Sequence, residues 1–117
     1  MFSPKPGDVY LIEFPEHDPR GHEQKGIRPA LVLSVPSGAR FPVLIATPLT
    51  TDTEHDWSKK APYLYLKLPK GTAGLPSDSI LLLDQTRSID FARTKRFIGR
   101  VEKKILDAVI AHWVKLF

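Results

Sequence analysis

Pro29-Ala-Leu-Val-Leu-Ser-Val35 is an apolar run of seven residues with no charge in it, and its length decides how the rest of the chain is read. It is too short for a buried helix and about right for a strand covered on both faces. Proline lacks the N–H that a ladder needs, so Pro29 belongs at the first position of that strand. Before it, residues 15–28 are polar and carry Pro15, Pro19, Gly21 and Gly26, a loop longer than two neighbouring strands require. Further upstream, Pro6-Gly7 signals a turn and Asp8-Val-Tyr-Leu-Ile-Glu-Phe14 is rich in strand formers. Downstream, Pro36-Ser-Gly38 turns the chain into a third strand, Phe41 to Leu49, which Pro48 is expected to bend or end.

Thr50 to Lys60 reads as a second exposed loop. Tyr63-Leu-Tyr-Leu-Lys-Leu68 alternates, which places Leu64, Leu66 and Leu68 on one face of a strand. Gly71, Gly74 and Pro76 punctuate the next segment, Ser79 to Leu83 is a buried-type strand, and Asp84 to Asp90 is a polar element. Arg96 to Val101 is the candidate closing strand. In the last stretch Ile105, Val109, Trp113 and Leu116 recur at helical spacing, flanked by Leu106 and Ile110, so a helix is expected over about 102–116. It starts without a Ser, Thr or Asp cap, and Trp113 is assigned to core or dimer packing. The pattern predicts one mainly β (α+β) domain, a small, strongly curved barrel with a C-terminal helix.

Composition excludes several function classes. The 117 residues contain no cysteine, which removes disulfide scaffolds, cysteine nucleophiles and thiolate metal sites. His17, His22, His55 and His112 show no ligand spacing, so no metal and no cofactor is expected. Phosphate-cradling glycine loops and a Gly-x-Ser-x-Gly elbow are missing too. No signal-peptide pattern opens the chain and no apolar run approaches a bilayer span, so a cytoplasmic protein without membrane contact is expected. The formal net charge is +4. Residues 1–86 carry nine basic and ten acidic side chains and residues 87–117 carry eight and three, so the whole excess lies in the last quarter. Such a stripe suits a polyanion, although Lys and Arg on the outer face of a helical region give the same count.

Two strand mouths hold groups that suit phosphate chemistry. Arg28 ends the long loop at the start of the apolar strand, and Thr47-Pro-Leu-Thr-Thr51 ends the next strand with Thr50 and Thr51. An arginine is a permanent, planar, bidentate donor, and hydroxyls orient oxyanions. RNA supplies its own nucleophile, the 2′-OH, so a protein need only orient it and stabilise charge at phosphorus. The competing structural roles are an ion pair between Arg28 and Glu23 and ordinary turn bonding by the two threonines. Trp57, in the polar loop, either stacks a base or folds back over the barrel.

Four blocks together are more specific than any of these residues alone. Pro6-Gly-Asp-Val-Tyr10, Gly21-x-Glu-Gln-x-Gly-x-Arg-Pro-Ala-Leu-Val-Leu-Ser34, Thr47-Pro-Leu-Thr-Thr51 and Leu83-Asp-Gln-x-Arg-Ser-Ile-Asp90 occur in this order. Across residues 6 to about 116 the chain resembles the MazF/PemK family of toxin endoribonucleases of type II toxin–antitoxin systems. The resemblance implies an SH3-like β-barrel of five to seven strands with a C-terminal helix, forming a homodimer. It implies metal-independent, sequence-specific cleavage of single-stranded RNA, an mRNA interferase using the 2′-OH. It also implies neutralisation by a cognate antitoxin, with DNA met only through that antitoxin.

Carried onto this sequence, the catalytic arginine is Arg28 and the key threonine is Thr50, with Glu23 a possible base. Gln24, Thr51, Trp57, Asp84, Gln85, Arg87 and Ser88 are then the RNA-contacting residues. Arg93, Lys95, Arg96 and Arg100 are expected to steer and hold the RNA. His22 replaces a serine common in the family, and the loop 16–24 is somewhat extended, so cleavage specificity does not transfer. Two other readings keep the fold and change the job: a toxin that poisons a protein target such as a topoisomerase, and a non-enzymatic RNA-binding module.

Overall fold

The computed structural model describes residues 3–15, 26–38, 42–51 and 57–116, with residues 57 and 58 described by their backbone only. Seven strands form one antiparallel sheet: β1 (Asp8–Phe14), β2 (Gly26–Ser34), β3 (Val43–Thr51), β4 (Tyr65–Leu68), β5 (Ser79–Leu82), β6 (Arg87–Asp90) and β7 (Thr94–Arg100). The order is β4-β5-β3-β2-β1-β7, with β6 also pairing with β3. The chain adds a short helix α1 (Trp57–Lys60) and the C-terminal helix α2 (Lys103–Val114). A mainly β domain with a closing helix is therefore what the hydrophobic pattern indicated.

Both faces of the central strands are buried, which is why their sequences are continuously apolar rather than alternating. Val9, Leu31, Leu33 and Leu49 enter one cluster with Leu68, Leu81, Val101 and Val109, and α2 lays Ile105, Leu106, Ile110 and Trp113 against it, joined by Leu116 from the turn after the helix. Tyr10, Ile12, Phe14, Ala30 and Val32 enter a second cluster with Leu44, Ala46 and Ile89. Trp113 thus packs on the core from the helical stripe, as its spacing suggested. Glu102 caps α2 without a side-chain bond, in line with the missing cap signal.

The sheet curls without closing: β4 and β7 are its two ends and do not pair. The gap is spanned by the turn Thr72–Gly74, which sits on β7 so tightly that a Cβ on Gly99 would lie 2.2 Å from the Ala73 carbonyl oxygen. Near the N-terminus Gly7, at φ +95°, donates its N–H to the Val32 carbonyl and accepts from the Val101 N–H. That ties the turn before β1 to β2 and to the start of α2. Asp8, 1% exposed, accepts from Arg100 Nε at 2.7 Å and from the Lys5 N–H at 2.9 Å, fixing β1 to β7.

Four local expectations are corrected. Pro48 does not end β3, which runs to Thr51. It falls between the β6 rungs, ending at Ala46, and the β5 rungs, starting at Leu49, where the strand changes partner and a missing N–H is tolerated. Pro29 is not the first residue of β2, which starts at Gly26; the β3 ladder begins only at Ala30, so Pro29 lies where β1 is the one neighbour. Residues 87–90 form β6 rather than an unclassified polar element, because pairing with a buried strand buries only Ile89. The segment 57–60 is a helical turn inside what reads as a loop.

Candidate functional site

The site forms where β2 leaves the long loop. Antiparallel pairing sets Arg28 opposite Ile12, and β3 carries Thr50 and Thr51 opposite Ile80 and Ser79 of β5. The strand ends meet in a cleft of about 190 Å³ lined by Arg28, Thr50 and Thr51 together with Leu75, Ser77 and Ser79. The expectation that the two strand mouths come together is met in this geometry. Arg28 and Thr50 are half-buried and Thr51 is exposed. Among the described residues, nothing hydrogen-bonds to the hydroxyls of Thr50, Thr51 or Ser77. By contrast, the Ser79 hydroxyl donates to the Ser77 carbonyl at 3.1 Å, and the Thr47 and Thr86 hydroxyls bond to each other at 2.7 Å. Free hydroxyls beside a guanidinium are the donors an oxyanion requires.

A second, wider recess of about 660 Å³ shares Ile27 and Arg28 with the cleft and is completed by Glu13, Phe14, Pro15, Gly26 and Arg93. The Arg87 guanidinium lies over the Phe14 ring, 5.9 Å from its centroid, and Arg87 lines neither the cleft nor this recess. Glu13 Oε1 lies 3.9 Å from Arg93 and 3.6 Å from Lys95. Arg100 is committed to Asp8, whereas Arg96 is exposed on the edge strand. The basic surplus of the last quarter is therefore divided between structural pairing and open surface.

The other sequence-derived residues are more scattered. Asp84 accepts a hydrogen bond from the Tyr65 hydroxyl at 2.7 Å, and that bond, with burial, pushes the Tyr65 phenol up to about 12. Gln85 is half-buried beside it, and Ser88 is exposed on β6 opposite Ile45. None of these three lines the Arg28 cleft. Glu23 and Gln24 lie outside the described residues, as does the side chain of Trp57. Sequence reasoning missed Ser77 and Glu13. Gly71, Gly74 and Pro76 marked a turn, but nothing local says that this turn crosses to β7 and carries Ser77 to the far wall of the cleft. Among the described residues no group of three or more His, Asp or Glu could hold a metal ion, and no helix is long and apolar enough to cross a membrane.

Fold and site together define a small, open-barrel β protein whose polar equipment is gathered at strand ends around one arginine. A family model described as PemK-like, MazF-like toxin of type II toxin–antitoxin system matches residues 5–117. The chain belongs to that family. The Bacillus subtilis protein named endoribonuclease EndoA is 34% identical over 106 residues, covering 90% of this chain and 86% of the relative. The crystal structure of MazF from Deinococcus radiodurans superposes with a TM-score of 0.71 at 25% identity, covering 99% of this chain and 97% of the other. A MazE–MazF structure from the same organism gives 0.69 at 26% identity, with 99% and 96% covered.

Proposed function

We propose that this protein is the toxin of a type II toxin–antitoxin system, a metal-independent, sequence-specific endoribonuclease of single-stranded RNA acting in the cytoplasm. The observation that carries the proposal is the one cleft that brings Arg28 together with the hydroxyls of Thr50, Thr51 and Ser77, unbonded among the described residues. Family membership and relatives named endoribonucleases support it.

In the reaction the substrate 2′-oxygen attacks phosphorus and gives its proton to a base. The bond from phosphorus to the 5′-oxygen then breaks, and that oxygen takes up a proton. The products are a 2′,3′-cyclic phosphate and a 5′-hydroxyl. Arg28 stabilises the charge that builds on the phosphorane oxygens, where a guanidinium acts without any change of protonation. Thr50 holds the phosphate or the 2′-OH through its hydroxyl, since an unassisted hydroxyl is too weak a base near neutral pH. Glu23 is assigned as the base, and Gln24, Thr51, Trp57, Asp84, Gln85, Arg87 and Ser88 as contacts for the flanking nucleotides. A homodimer is the working form, and a cognate antitoxin silences it by covering this surface.

The test is incubation of the purified protein with a long single-stranded RNA, followed by mapping and chemical typing of the new ends. Discrete cuts with 5′-hydroxyl ends that persist in excess EDTA are expected. Activity lost in EDTA refutes the metal-free route. Salt-sensitive binding without product, or no RNA binding at all, refutes the ribonuclease.

A further inference from the structure

We propose that the recess beside Arg28 is a guanine-binding subsite whose reading residue is Glu13. The inference rests on the ribonuclease reading for its location next to a reacting phosphate, but it makes a separate claim about recognition.

The argument starts from how the Glu13 carboxylate is held. Arg93 Nη1 and Lys95 Nζ both approach the same oxygen, Oε1, at 3.9 and 3.6 Å. Neither distance is a hydrogen bond. Among the described residues nothing donates a hydrogen bond to this carboxylate at all. Its charge is thus compensated while its acceptor positions stay open. An uncompensated carboxylate at this place would repel RNA phosphates; a compensated one attracts no further cation and seeks neutral donors instead. Arg93 and Glu13 side chains keep 41% and 47% of their surface, so a ligand reaches both.

The rest of the recess fits a base. Ile27 is 60% exposed, an uncommon position for an isoleucine, and with Pro15 it offers hydrocarbon to a ring face. The recess shares Arg28 with the cleft, so a nucleotide whose phosphate sits in the cleft has its base within reach of Glu13. Guanine is the base that presents two neighbouring donors, N1–H and N2–H, to a carboxylate, with its O6 acceptor alongside for Arg93 or Lys95. Cytosine and adenine offer one amino group each without the adjacent ring N–H, and uracil offers one ring N–H between two carbonyls. The Watson–Crick edge is available in single-stranded RNA.

The experiment measures binding with uncleavable 2′-O-methyl oligonucleotides that differ only in guanine or inosine at one position. Inosine keeps O6 and N1–H and lacks the N2 amino group. Wild-type protein is expected to bind the guanine form about 10-fold more tightly, and Glu13→Gln to bind both alike, since one good bidentate pair is worth at least a factor of that order. Glu13→Asp, which keeps a carboxylate, is expected to retain part of the preference. The Tm of each variant is measured beside it; the ion pairs of Glu13 are exposed, so a shift of only a few degrees is expected. Equal binding of guanine and inosine forms by the wild type overturns the subsite, as does a preference that survives Glu13→Gln. Cleavage of the unmodified RNA is followed in parallel. A protein that prefers guanine but does not cut keeps the subsite and loses the ribonuclease reading. One that cuts without preferring guanine does the reverse.

Discussion

Replacing Gly99 with alanine tests whether the turn at 72–74 holds the curled sheet in shape. The added Cβ would meet the Ala73 carbonyl oxygen at 2.2 Å, its carbon at 2.7 Å and the Ala73 Cα at 3.2 Å. All three are backbone atoms, so no side-chain tip can swing aside, and the turn has to lift by about 1 Å to restore ordinary contact. Ala73 already sits at φ 52°, a left-handed conformation that leaves little room to adjust. Overpacking of this kind costs about 1–3 kcal/mol, and the rigidity of both sides places this case near the upper end. At roughly 4 °C per kcal/mol for a domain of this size, the thermal midpoint should fall by about 12 °C. Scanning calorimetry or far-UV circular dichroism reads the shift. Gly71→Ala is the control, because at φ +92° with nothing within 4 Å of its Cβ it pays left-handed strain alone, about 1–2 kcal/mol. Leu75, Ser77 and Ser79 follow the same turn into the cleft wall, so RNA cleavage should fall in Gly99→Ala beyond what the stability change explains. A Gly99→Ala protein within 3 °C of wild type at normal cleavage would refute the seating of this turn on β7.

Arg28→Ala should lower the cleavage rate about 10²- to 10³-fold while RNA binding changes far less, read by single-turnover kinetics alongside filter binding. Tyr65 carries an alkaline signature. Its phenol titrates near 12 in the folded protein against an ordinary value of 10, so the stability it contributes is fully present below pH 10 and is lost as the pH rises toward 12. Denaturant midpoints across that window should fall in wild type and fall less in Tyr65→Phe. Arg96→Gln should weaken RNA binding and lower the slope of log K against log salt by about 0.7 if it meets one phosphate. Arg100→Gln should instead lower stability, because it leaves a carboxylate buried at Asp8 without its guanidinium.

The legible parts of this fold are those in which one segment carries its own signal. Pro29–Val35 and Ser79–Leu82 are apolar because both of their faces are covered, Asp8–Phe14 is rich in strand formers, and the stripe from Ile105 to Leu116 repeats with the helix. What stayed hidden depends on partners distant in sequence. β6 is a strand because Val43–Ala46 offers it an edge, and four residues with one buried side chain carry almost no period. Pro48 reads as a terminator when taken alone and is harmless where a strand changes neighbours. The site divides the same way. Arg28 and Thr50 stand in recognisable blocks beside the strands that carry them, so their meeting followed once a barrel was assumed. Ser77 arrives by a turn that crosses the open side of the sheet, and Glu13 looks like one more polar residue on an alternating edge until Arg93 and Lys95 are seen around it.

This arrangement also explains where the candidate groups of the cleft stand. Where β2 and β3 pair with each other, both of their faces are largely committed to apolar packing, and a polar side chain placed there is buried. Thr47, fully buried, shows the consequence: its hydroxyl is spent on Thr86. Three residues later, beyond the last rung with β2, Thr50 is half-exposed and its hydroxyl is unbonded among the described residues. Arg28 stands in the matching position on β2, before its ladder with β3 begins at Ala30. The candidate groups Arg28 and Thr50 therefore stand just past the end of the β2–β3 ladder, and a threonine moved inward by one pleat would exchange an open hydroxyl for a structural bond. Thr50→Val keeps the β-branched shape and removes only the hydroxyl, so it should leave the thermal midpoint unchanged and lower cleavage. Thr47→Val should do the opposite, costing about 0.5–1.5 kcal/mol through the lost bond to Thr86, whose own hydroxyl keeps its bond to the Leu83 carbonyl, while cleavage of folded protein persists.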